Sequence, residues 1–329
     1  MLFSVVVPVY NGEKYLDECL GSLDNQTFED FEVVVVDDGS KDGSGRIADD
    51  YASSHENVRV LHGENQGVLL ARRRGLSHCQ GEYVVFLDAD DMLRPDALEK
   101  LAGCIAETGA DIVSFRFSRS ADFSTKDDAV FAPEGFYGGE DYRLFQCAVC
   151  SARWNNLWGK AIRLCHIDVD AIYGAYAGLM MGEDLFQLLP IADSAKSFAF
   201  IDEAMYFYRP SDVSSTAVFK HSYIADAKCI SERLLEYGRS WGLRGEAENG
   251  VCILYINVLR LLVRHCDKAR FPAEIEEISE ALHGFGDEAG NPIFANERLD
   301  HKLILRSALR RNLWLTRLAV RATDLVVRG

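Results

Sequence analysis

The chain has 329 residues, of which 48% are hydrophobic and 26% charged, as is typical of a soluble globular protein with a sizeable core. The formal net charge of -16 argues against a general nucleic-acid-binding protein, which would be basic. The length favours two domains, or one domain with a large appendage.

The first part of the chain alternates strand and helix patterns. Short apolar runs typical of strands lie at residues 3–7, 32–36, 58–61, 83–87 and 111–117. They are rich in β-branched residues and apolar on both faces, as parallel strands covered by helices must be. Apolar residues recur at helical spacing in 16–23 and 98–105, and Pro95 fits the first position of the second helix. This order predicts an α/β fold with a mainly parallel sheet flanked by helices.

The regular alternation fades beyond residue 115. Residues 118–142 are polar, Gly-rich and acidic, which favours a loop insertion or a linker. Helical patterns then follow near residues 221–240, 246–266, 272–283 and 300–327. The predicted division is therefore a first domain in residues 1–218 and a C-terminal helical region in residues 219–329.

Three features favour a cytosolic protein. Met1 leads almost directly into an apolar run, without the basic start of a signal peptide. The longest apolar stretch, residues 251–263, is too short to span a bilayer and contains Arg260. The nine cysteines lie mostly among apolar neighbours, as reduced thiols do. Cys147 and Cys150 lack the second pair that zinc would need, so we interpret them as small buried residues on a helix.

Polar or acidic residues follow four successive predicted strands. They are Pro-Val-Tyr-Asn-Gly at 8–12, Asp-Asp-Gly-Ser at 37–40, Glu-Asn-Gln-Gly at 64–67 and Asp-Ala-Asp-Asp at 88–91. In open α/β sheets, ligands bind beyond the carboxyl ends of the strands, so this rim is the predicted site. A G-x-G-x-x-G loop after the first strand and a Walker A loop are both absent, which argues against dinucleotide-binding and P-loop proteins.

Asp88, Asp90 and Asp91 carry like charges within four positions, with no basic residue among them. A divalent cation that joins them to an anionic ligand would explain this, because Mg²⁺ and Mn²⁺ prefer oxygen ligands. In an extended segment Asp88 and Asp90 project to the same side. The structural alternative is that they cap the next helix, but Pro95 at its first position would put the cap at Arg94. A solvated acidic loop is the other alternative.

Three stretches in this order resemble the family 2 glycosyltransferases of the GT-A fold. They are SVVVPVYNGEKYLDECLGSLDNQTFEDFEVVVVDDGSKDGS, ENQGVLLARRRGL and GEYVVFLDADDMLRPDAL, which together cover about the first 110 residues. NNLWGKAIR at 155–163 and MGEDLF at 181–186 extend the similarity to about residue 210. The resemblance therefore implies a catalytic domain of the GT-A fold in residues 1–218.

The resemblance implies a nucleotide-sugar site. Pro8 and Tyr10 are expected to line the base pocket, with the tyrosine ring against the base. Asp38 is expected to accept a hydrogen bond from a base N–H, such as that of uracil. Asn65 and Arg72 match the family's contacts to the sugar nucleotide, and the planar fork of an arginine suits a diphosphate.

The acidic run matches the family's D-x-D motif. The resemblance implies Asp90 as the ligand of Mn²⁺ or Mg²⁺, and Asp88 as a contact to the ribose or to the residues around the metal. Asp91 is expected to bind the metal through water or to approach the sugar. Asp184 matches the general base, with Glu183 as its neighbour or as an acceptor contact. The alternative for this later pair is charge that complements the dipole of a helix N-terminus.

Three further residues have weaker matches. Trp158 and Lys160 are candidates to face the acceptor or the departing phosphate, with core and surface positions as open alternatives. Arg209 is expected on a loop that closes over the diphosphate.

The function implied is that of a metal-dependent, inverting hexosyl- or N-acetylhexosaminyltransferase of bacterial polysaccharide or capsule type. Its donor would be a nucleotide-sugar, by family tendency a UDP-sugar, and its acceptor a hydroxyl of a glycan or lipid-linked molecule. One alternative is a non-catalytic sugar-nucleotide-binding subunit, which would not need Asp38, Asp88, Asp90 and Asp184 together. A nucleotidyltransferase would need a Gly-rich loop after the first strand, which residues 8–12 do not supply.

The last 29 residues are basic, with seven arginines and lysines and one acid, Asp324. On a single helix, five arginines would share an arc of roughly 60°: Arg306, Arg310, Arg317, Arg321 and Arg328. Two interpretations stay open. Residues 301–329 bind an anionic surface on the inner face of the plasma membrane, where lipid-linked acceptors lie, or the helix packs on the acidic body.

Overall fold

The structure, a computed structural model, describes residues 1–127, 132–152, 154–210, 218–267, 269–285 and 299–327, with side chains as far as Thr323. The chain forms two compact units. The first unit comprises Met1–Phe145, Asn156–Leu179 and Pro190–Pro210. The second unit comprises Gln146–Asn155, Met180–Leu189 and Ser211–Gly329. A functional division between residues 218 and 219 stays a prediction.

The predicted strands occur in the predicted order in the described chain, and four further strands add to them, one of which has 11 residues. The strands are β1 Phe3–Val9, β2 Phe31–Asp37, β3 Val58–His62, β4 Tyr83–Phe86, β5 Met92–Leu93, β6 Ile112–Ser118, β7 Gly135–Gly138, β8 Lys160–Arg163 and β9 Ser197–Phe207. The first helices are α1 Leu16–Asp24, α2 Ser44–Ser53, α3 Val68–Leu76, α4 Ala97–Thr108, α5 Arg143–Cys150 and α6 Glu183–Ser194. The later helices are α7 Ser222–Ser240, α8 Arg244–His265, α9 Phe271–Gly284, α10 Leu299–Leu309 and α11 Leu313–Val327.

The sheet of the first unit has the order β3-β2-β1-β4-β8-β6-β9-β5, and β7 also pairs with β9. Strands β1 to β4 pair in parallel, and so do β6 and β9. Strand β8 runs antiparallel between β4 and β6. The predicted mainly parallel α/β sheet is confirmed. Because β1, β2, β3 and β4 are parallel, their carboxyl ends meet at one edge, which places the four polar loops together.

Burial along the strands follows their place in the sheet. Every residue of β1, β2 and β4 is buried, because these strands are covered on both faces. The prediction that β3 is equally covered is wrong. It is the edge strand, and no residue in it is fully buried, with Arg59 and His62 exposed.

The prediction that Pro95 occupies the first position of its helix is also wrong. Helix α4 begins at Ala97, with Asp96 in the N-cap position. The Ala97 N–H donates to the Arg94 carbonyl at 2.9 Å, so Pro95 lies within a tight turn before the helix. The Asp96 carboxylate binds the Arg94 guanidinium and makes no cap hydrogen bond.

The second unit confirms the predicted C-terminal helical region, but its last predicted helix is two helices. Arg311 has φ 52°, a left-handed conformation that ends α10. The Asn312 side-chain oxygen then accepts the Leu315 N–H at 3.0 Å and caps α11. A single arc of arginines along residues 306–328 is therefore wrong, and Arg328 lies outside the described residues.

All nine cysteines lie in the described ranges and are thiols rather than disulfides. Cys147 and Cys150 lie on α5, as the pattern predicts, but only Cys150 is buried, whereas Cys147 is half-buried. No helix among the described residues is both long and apolar enough to cross a lipid bilayer.

Candidate active site

The three aspartates share one turn at the carboxyl edge of the sheet. The Leu87 N–H donates to the Val6 carbonyl at 3.0 Å, which continues the pairing of β4 with β1. The chain then turns, and the Asp91 N–H donates to the Asp88 carbonyl at 3.0 Å. Like charges are therefore held close together by backbone geometry, and each carboxylate needs its own compensation.

Asp91 is the buried member of the turn, with 2% of its surface exposed. Its Oδ2 accepts the Tyr206 hydroxyl at 2.7 Å, and its Oδ1 accepts the Arg209 N–H at 2.8 Å. The Tyr206 oxygen in turn accepts the Asp88 N–H at 3.1 Å. Burial, together with the charges of Asp88 and Asp90, raises the pKa of Asp91 to about 8. Asp91 thus ties the turn to β9, and a contact with metal or sugar stays a prediction.

Asp88 is compensated by a buried arginine. Arg72, on α3, is 2% exposed, and its Nη2 lies 2.9 Å from Asp88 Oδ1. Burying an arginine without a partner would be costly, so this pair holds both groups in place. The diphosphate contact predicted for Arg72 stays a prediction.

Arg209 follows β9 and lies against the same turn. Its Nε donates to the Asp90 carbonyl at 2.7 Å, and its Nη2 lies 2.6 Å from Glu18. Its guanidinium packs 4.5 Å from the Tyr15 ring centroid and 5.0 Å from that of Phe207. Arg209 thus fixes the backbone of the acidic turn, and closure over a diphosphate stays a prediction; residues 211–217 lie outside the described ranges.

Among the described residues, only the charge of Arg209 offsets the negative charge of the Asp90 carboxylate. Burial, and then the charge of Asp88, raises the pKa of Asp90. Within the described chain, no other residue donates a hydrogen bond to this carboxylate. A half-buried carboxylate beside like charges suits a divalent cation, so Asp90 fits the predicted role of metal ligand.

The acidic turn by itself does not supply all the ligands that a divalent cation needs. The one group of three possible ligand atoms within 4.8 Å of one another in the described chain is His221, Glu274 and Glu277, in the second unit. There the His221 Nδ1 lies only 2.8 Å from Glu274 Oε2, so these two groups already contact each other directly. Mg²⁺ and Mn²⁺ sites of one or two carboxylates are usually completed by water and phosphate oxygens.

Asp38 anchors the loop after β3. It is 6% exposed, and its two oxygens accept the N–H groups of Gln66 at 2.9 Å and Gly67 at 2.8 Å. Gly67 has φ 91°, which other residues rarely adopt. Asn65 is exposed on this loop. Each Asp38 oxygen keeps one lone pair that is able to accept a further hydrogen bond. The contact with the base stays a prediction.

Tyr10 is 51% exposed directly after β1, whose Pro8 pairs with Val36 of β2. The next residue, Asn11, has φ 52°, and its Oδ1 accepts the Lys41 N–H at 2.8 Å. The loops after β1 and β2 therefore hold each other, with an aromatic ring free to stack on a planar ligand.

An aromatic stack supports the acidic turn. The Trp158 ring stacks on Tyr206 at 4.9 Å and on Tyr208 at 5.3 Å between centroids, and meets the edge of Phe117 at 5.2 Å. Trp158 thus packs on the residue that binds Asp91. Its contact with an acceptor stays a prediction.

Lys160 lies in the core. It is fully buried, and its Nζ donates to the Asn156 side-chain oxygen at 3.0 Å. This position corresponds to the core alternative, and a contact with the departing phosphate stays a prediction.

Glu183 and Asp184 open α6 in the second unit, where both are half-buried. The preceding Gly182 has φ 78°, and its carbonyl accepts the Phe186 N–H at 3.0 Å. Carboxylates in a first helical turn complement the helix dipole, so this place alone does not assign a base. The catalytic role of Asp184 stays a prediction.

Sequence patterns did not identify Tyr206, Tyr15, Glu18 and Cys19 as parts of the site. Tyr206 lies 115 positions from Asp91, and the thiol of Cys19 is 3.5 Å from the Asp88 carbonyl. The apolar and aromatic run Met-Tyr-Phe-Tyr at 205–208 is typical of a strand, but a strand pattern does not say what its tyrosines contact.

We expect Tyr206→Phe to lower the free energy of unfolding by about 1–3 kcal/mol, because Asp91 and the Asp88 N–H both lose a buried hydrogen bond. Urea denaturation measures this. Tyr208→Phe is the matched control, because within the described residues the Tyr208 hydroxyl has no hydrogen bond. Equal stability of the two variants would contradict the supporting role of Tyr206.

Residues 4–149 match the sequence profile of glycosyl transferase family 2. This part of the chain is a family 2 glycosyltransferase domain. EpsH of Bacillus subtilis (strain 168), a protein named as a glycosyltransferase, is 31% identical over 209 residues, which are 63% of this chain and 60% of EpsH. The chain therefore spans about three fifths of this relative.

Two solved structures are similar in fold to this chain. TarS 1-349 of S. aureus, in complex with UDP-GlcNAc, has a TM-score of 0.73 at 21% identity, over 99% of this chain and 92% of that chain. The mannosyltransferase PcManGT from Pyrobaculum calidifontis, in complex with GDP-Man and Mn²⁺, has a TM-score of 0.52 at 17% identity, over 98% and 86%. At these identities the likeness establishes the fold, and the predicted GT-A fold is confirmed.

Proposed function

We propose that this family 2 glycosyltransferase domain moves a hexose or N-acetylhexosamine from a UDP-sugar to a hydroxyl of a glycan or lipid-linked acceptor in surface polysaccharide synthesis. The observation that carries the proposal is the acidic turn, where Arg72 compensates Asp88 and the Asp90 carboxylate accepts no hydrogen bond from another described residue. The fold shared with TarS, which was solved with UDP-GlcNAc, supports a UDP-sugar donor.

Asp90 is the proposed ligand of a divalent cation, Mn²⁺ or Mg²⁺, with diphosphate oxygens of the donor as further ligands. When bound, the cation neutralises charge on the leaving nucleoside diphosphate. Asp88 is held by Arg72 beside this carboxylate and is the proposed contact to the ribose. Hydrogen bonds of Asp91 with Tyr206 and Arg209 fix the conformation of the turn.

The loops after β1, β2 and β3 are the proposed binding surface for the nucleoside. The exposed Tyr10 ring stacks on the base, and Pro8 lies at the carboxyl end of the same strand. Asp38 accepts the base N–H with a lone pair that the loop leaves open. Asn65 and Arg72 then contact the sugar nucleotide.

Transfer requires a base that takes the acceptor proton. In this proposal Asp184 accepts the proton of the acceptor hydroxyl, and Glu183 contacts the acceptor. The hydroxyl oxygen forms a bond to the anomeric carbon while the bond from that carbon to the diphosphate oxygen breaks. The electron pair leaves with the nucleoside diphosphate, and attack from the opposite face inverts the anomeric centre.

A donor panel tests the function. The full chain is incubated with UDP-GlcNAc, UDP-galactose, UDP-glucose or GDP-mannose, with Mn²⁺ or with EDTA, and release of nucleoside diphosphate is measured. We expect slow release from at least one UDP-sugar with Mn²⁺ and none with EDTA. UDP binding without turnover of any donor, even with candidate acceptors added, would contradict the enzyme and favour a non-catalytic binding subunit.

The basic tail is proposed to reach the membrane through exposed stripes on its two helices. At 100° per residue, each stripe falls within an arc of roughly 60°. The stripe residues are Leu299, Leu303 and Arg306 on α10, and Trp314, Leu318 and Arg321 on α11; the exposed Arg310 follows the last residue of α10. Trp314 is 72% exposed. Aromatic and basic side chains on one exposed face are typical of helices that lie on anionic lipid surfaces.

Other tail residues face the second unit itself. Arg311 pairs with Glu276 at 2.6 Å, and the Arg317 guanidinium lies 4.0 Å from the Phe271 ring centroid. Thr316 and Val320 are buried. Packing therefore accounts for the inner faces of α10 and α11, and the proposed contact with the inner face of the plasma membrane concerns only the exposed stripes.

We expect the double variant Trp314→Ser, Leu318→Ser to reduce sedimentation with phosphatidylglycerol vesicles by about tenfold, because it removes the apolar surface that would enter the lipid. The matched control is Ile172→Ser in the first unit, where Ile172 is 92% exposed. Equal sedimentation of wild type and double variant, or none by the wild type, would contradict the membrane contact.

A further inference from the structure

A buried carboxylate on α7 holds the segment that leads into α6. Asp226 is 8% exposed, and its Oδ2 accepts the N–H groups of Met180 and Met181, each at 3.2 Å. These donors lie 46 and 45 positions before Asp226. The contact therefore joins two distant parts of the second unit.

The next residue of the segment is held by the same helix. Gly182 has φ 78°, and a Cβ built on it would lie 2.6 Å from Ile230 Cδ1. Ile230 is one helical turn beyond Asp226 on α7. The Lys220 ammonium, just before α7, lies 3.1 Å from the Met180 sulfur. Helix α7 thus holds Met180 and Met181 by hydrogen bonds and packs against Gly182, directly before Glu183 begins α6.

The arrangement fixes the first turn of α6. Two hydrogen bonds to one oxygen set the peptide planes of Met180 and Met181, and Gly182 has a left-handed φ of 78° that residues with a side chain rarely adopt. Residues 183 and 184 then have helical geometry, so the direction of the Asp184 carboxylate depends on how this segment is held. Burial raises the pKa of Asp226, because the charged form loses solvation at this position.

We propose that Asp226 is a positioning residue for Asp184, so that the C-terminal helical region sets the geometry of the catalytic base. This rests on the proposed function. Asp226 touches neither donor nor acceptor; it acts through the backbone of residues 180–182. Misplacing a catalytic group by about 1 Å costs on the order of 10²-fold in rate.

The experiment compares Asp226→Ala with Asp226→Asn. Alanine removes the oxygen that accepts both N–H groups, whereas asparagine retains one acceptor oxygen. We expect Asp226→Ala to lower kcat by about 10–100-fold with KM for the donor and UDP affinity unchanged. Asp226→Asn should recover most of kcat. Hydrogen exchange of residues 180–186 should be faster in the alanine variant than in wild type.

The matched control is Glu236→Gln, an exposed carboxylate on the same helix. It should leave both kcat and exchange unchanged. Wild-type kcat in Asp226→Ala, or unaltered exchange in residues 180–186, would overturn the positioning role. An asparagine variant as slow as the alanine variant would also overturn it, because the proposed contact needs only an acceptor oxygen. Full turnover by Asp184→Asn would instead overturn the base assignment in the proposed function, which is a separate result.

Discussion

Asp90→Asn should abolish Mn²⁺-dependent donor turnover, lowering the rate by about 10³-fold or more, because neutralisation of the leaving diphosphate contributes several kcal/mol. Asparagine has nearly the same volume but no charge, and no other described residue forms a hydrogen bond or ion pair with the Asp90 carboxylate. The fold should survive, and the free energy of unfolding without metal should not fall. Turnover of the preferred UDP-sugar over a range of Mn²⁺ concentrations measures the effect.

The control for this variant is Glu56→Gln, which removes one exposed carboxylate elsewhere in the first unit. It changes the net charge by the same amount, so any general electrostatic effect would appear in both variants. Unchanged Mn²⁺ dependence in Asp90→Asn would remove Asp90 as the metal ligand and leave Asp88 as the candidate.

Asp184→Asn should lower kcat by about 10²–10⁴-fold, because asparagine cannot accept the proton of the acceptor hydroxyl. UDP affinity should stay within about twofold of wild type, since the base contributes to proton transfer rather than to nucleotide binding. Initial rates with donor and acceptor, together with UDP titration of the same preparation, measure both quantities. Glu183→Gln is the neighbouring control and should retain more activity than Asp184→Asn. A fully active Asp184→Asn variant would place the base elsewhere.

The acidic turn could be located from sequence because its neighbourhood follows local rules. Apolar runs of strand length predict β1, β2 and β4, and parallel pairing brings their carboxyl ends together. Tyr10, Asp38 and Asp90 each follow such a run. Local patterns and parallel pairing are therefore enough to predict that they lie at the same edge of the sheet. The GT-A fold and the family follow from the same stretches.

The contacts that stabilise the acidic turn could not be predicted from sequence, because they join residues that lie far apart in the chain. Tyr206 and Arg209 lie 115 and 118 positions from Asp91, and nothing in a strand pattern pairs them with a carboxylate. The antiparallel strand β8 between β4 and β6 is another such pairing. The same limit applies to Asp226, whose role depends on the fold of the second unit.

Local sequence patterns also gave wrong predictions where the same residues suit two different conformations. Pro95 suits both a first helical position and a turn, and the Ala97–Arg94 hydrogen bond selects the turn. The periodic pattern of residues 300–327 fits one long helix, but Arg311 is left-handed and Asn312 caps a second helix. The edge position of β3 is a property of the sheet order, which periodicity does not contain.

The central claim is that the acidic turn binds a nucleoside diphosphate together with a divalent cation. Calorimetric titration of UDP into the full chain, once with Mn²⁺ and once with EDTA, tests it most directly, with GDP and dTDP as comparisons. We expect one UDP site with Mn²⁺ and binding at least about tenfold weaker with EDTA, a difference of about 1.4 kcal/mol. Equal UDP affinity under both conditions, or no UDP binding at all, would contradict the claim.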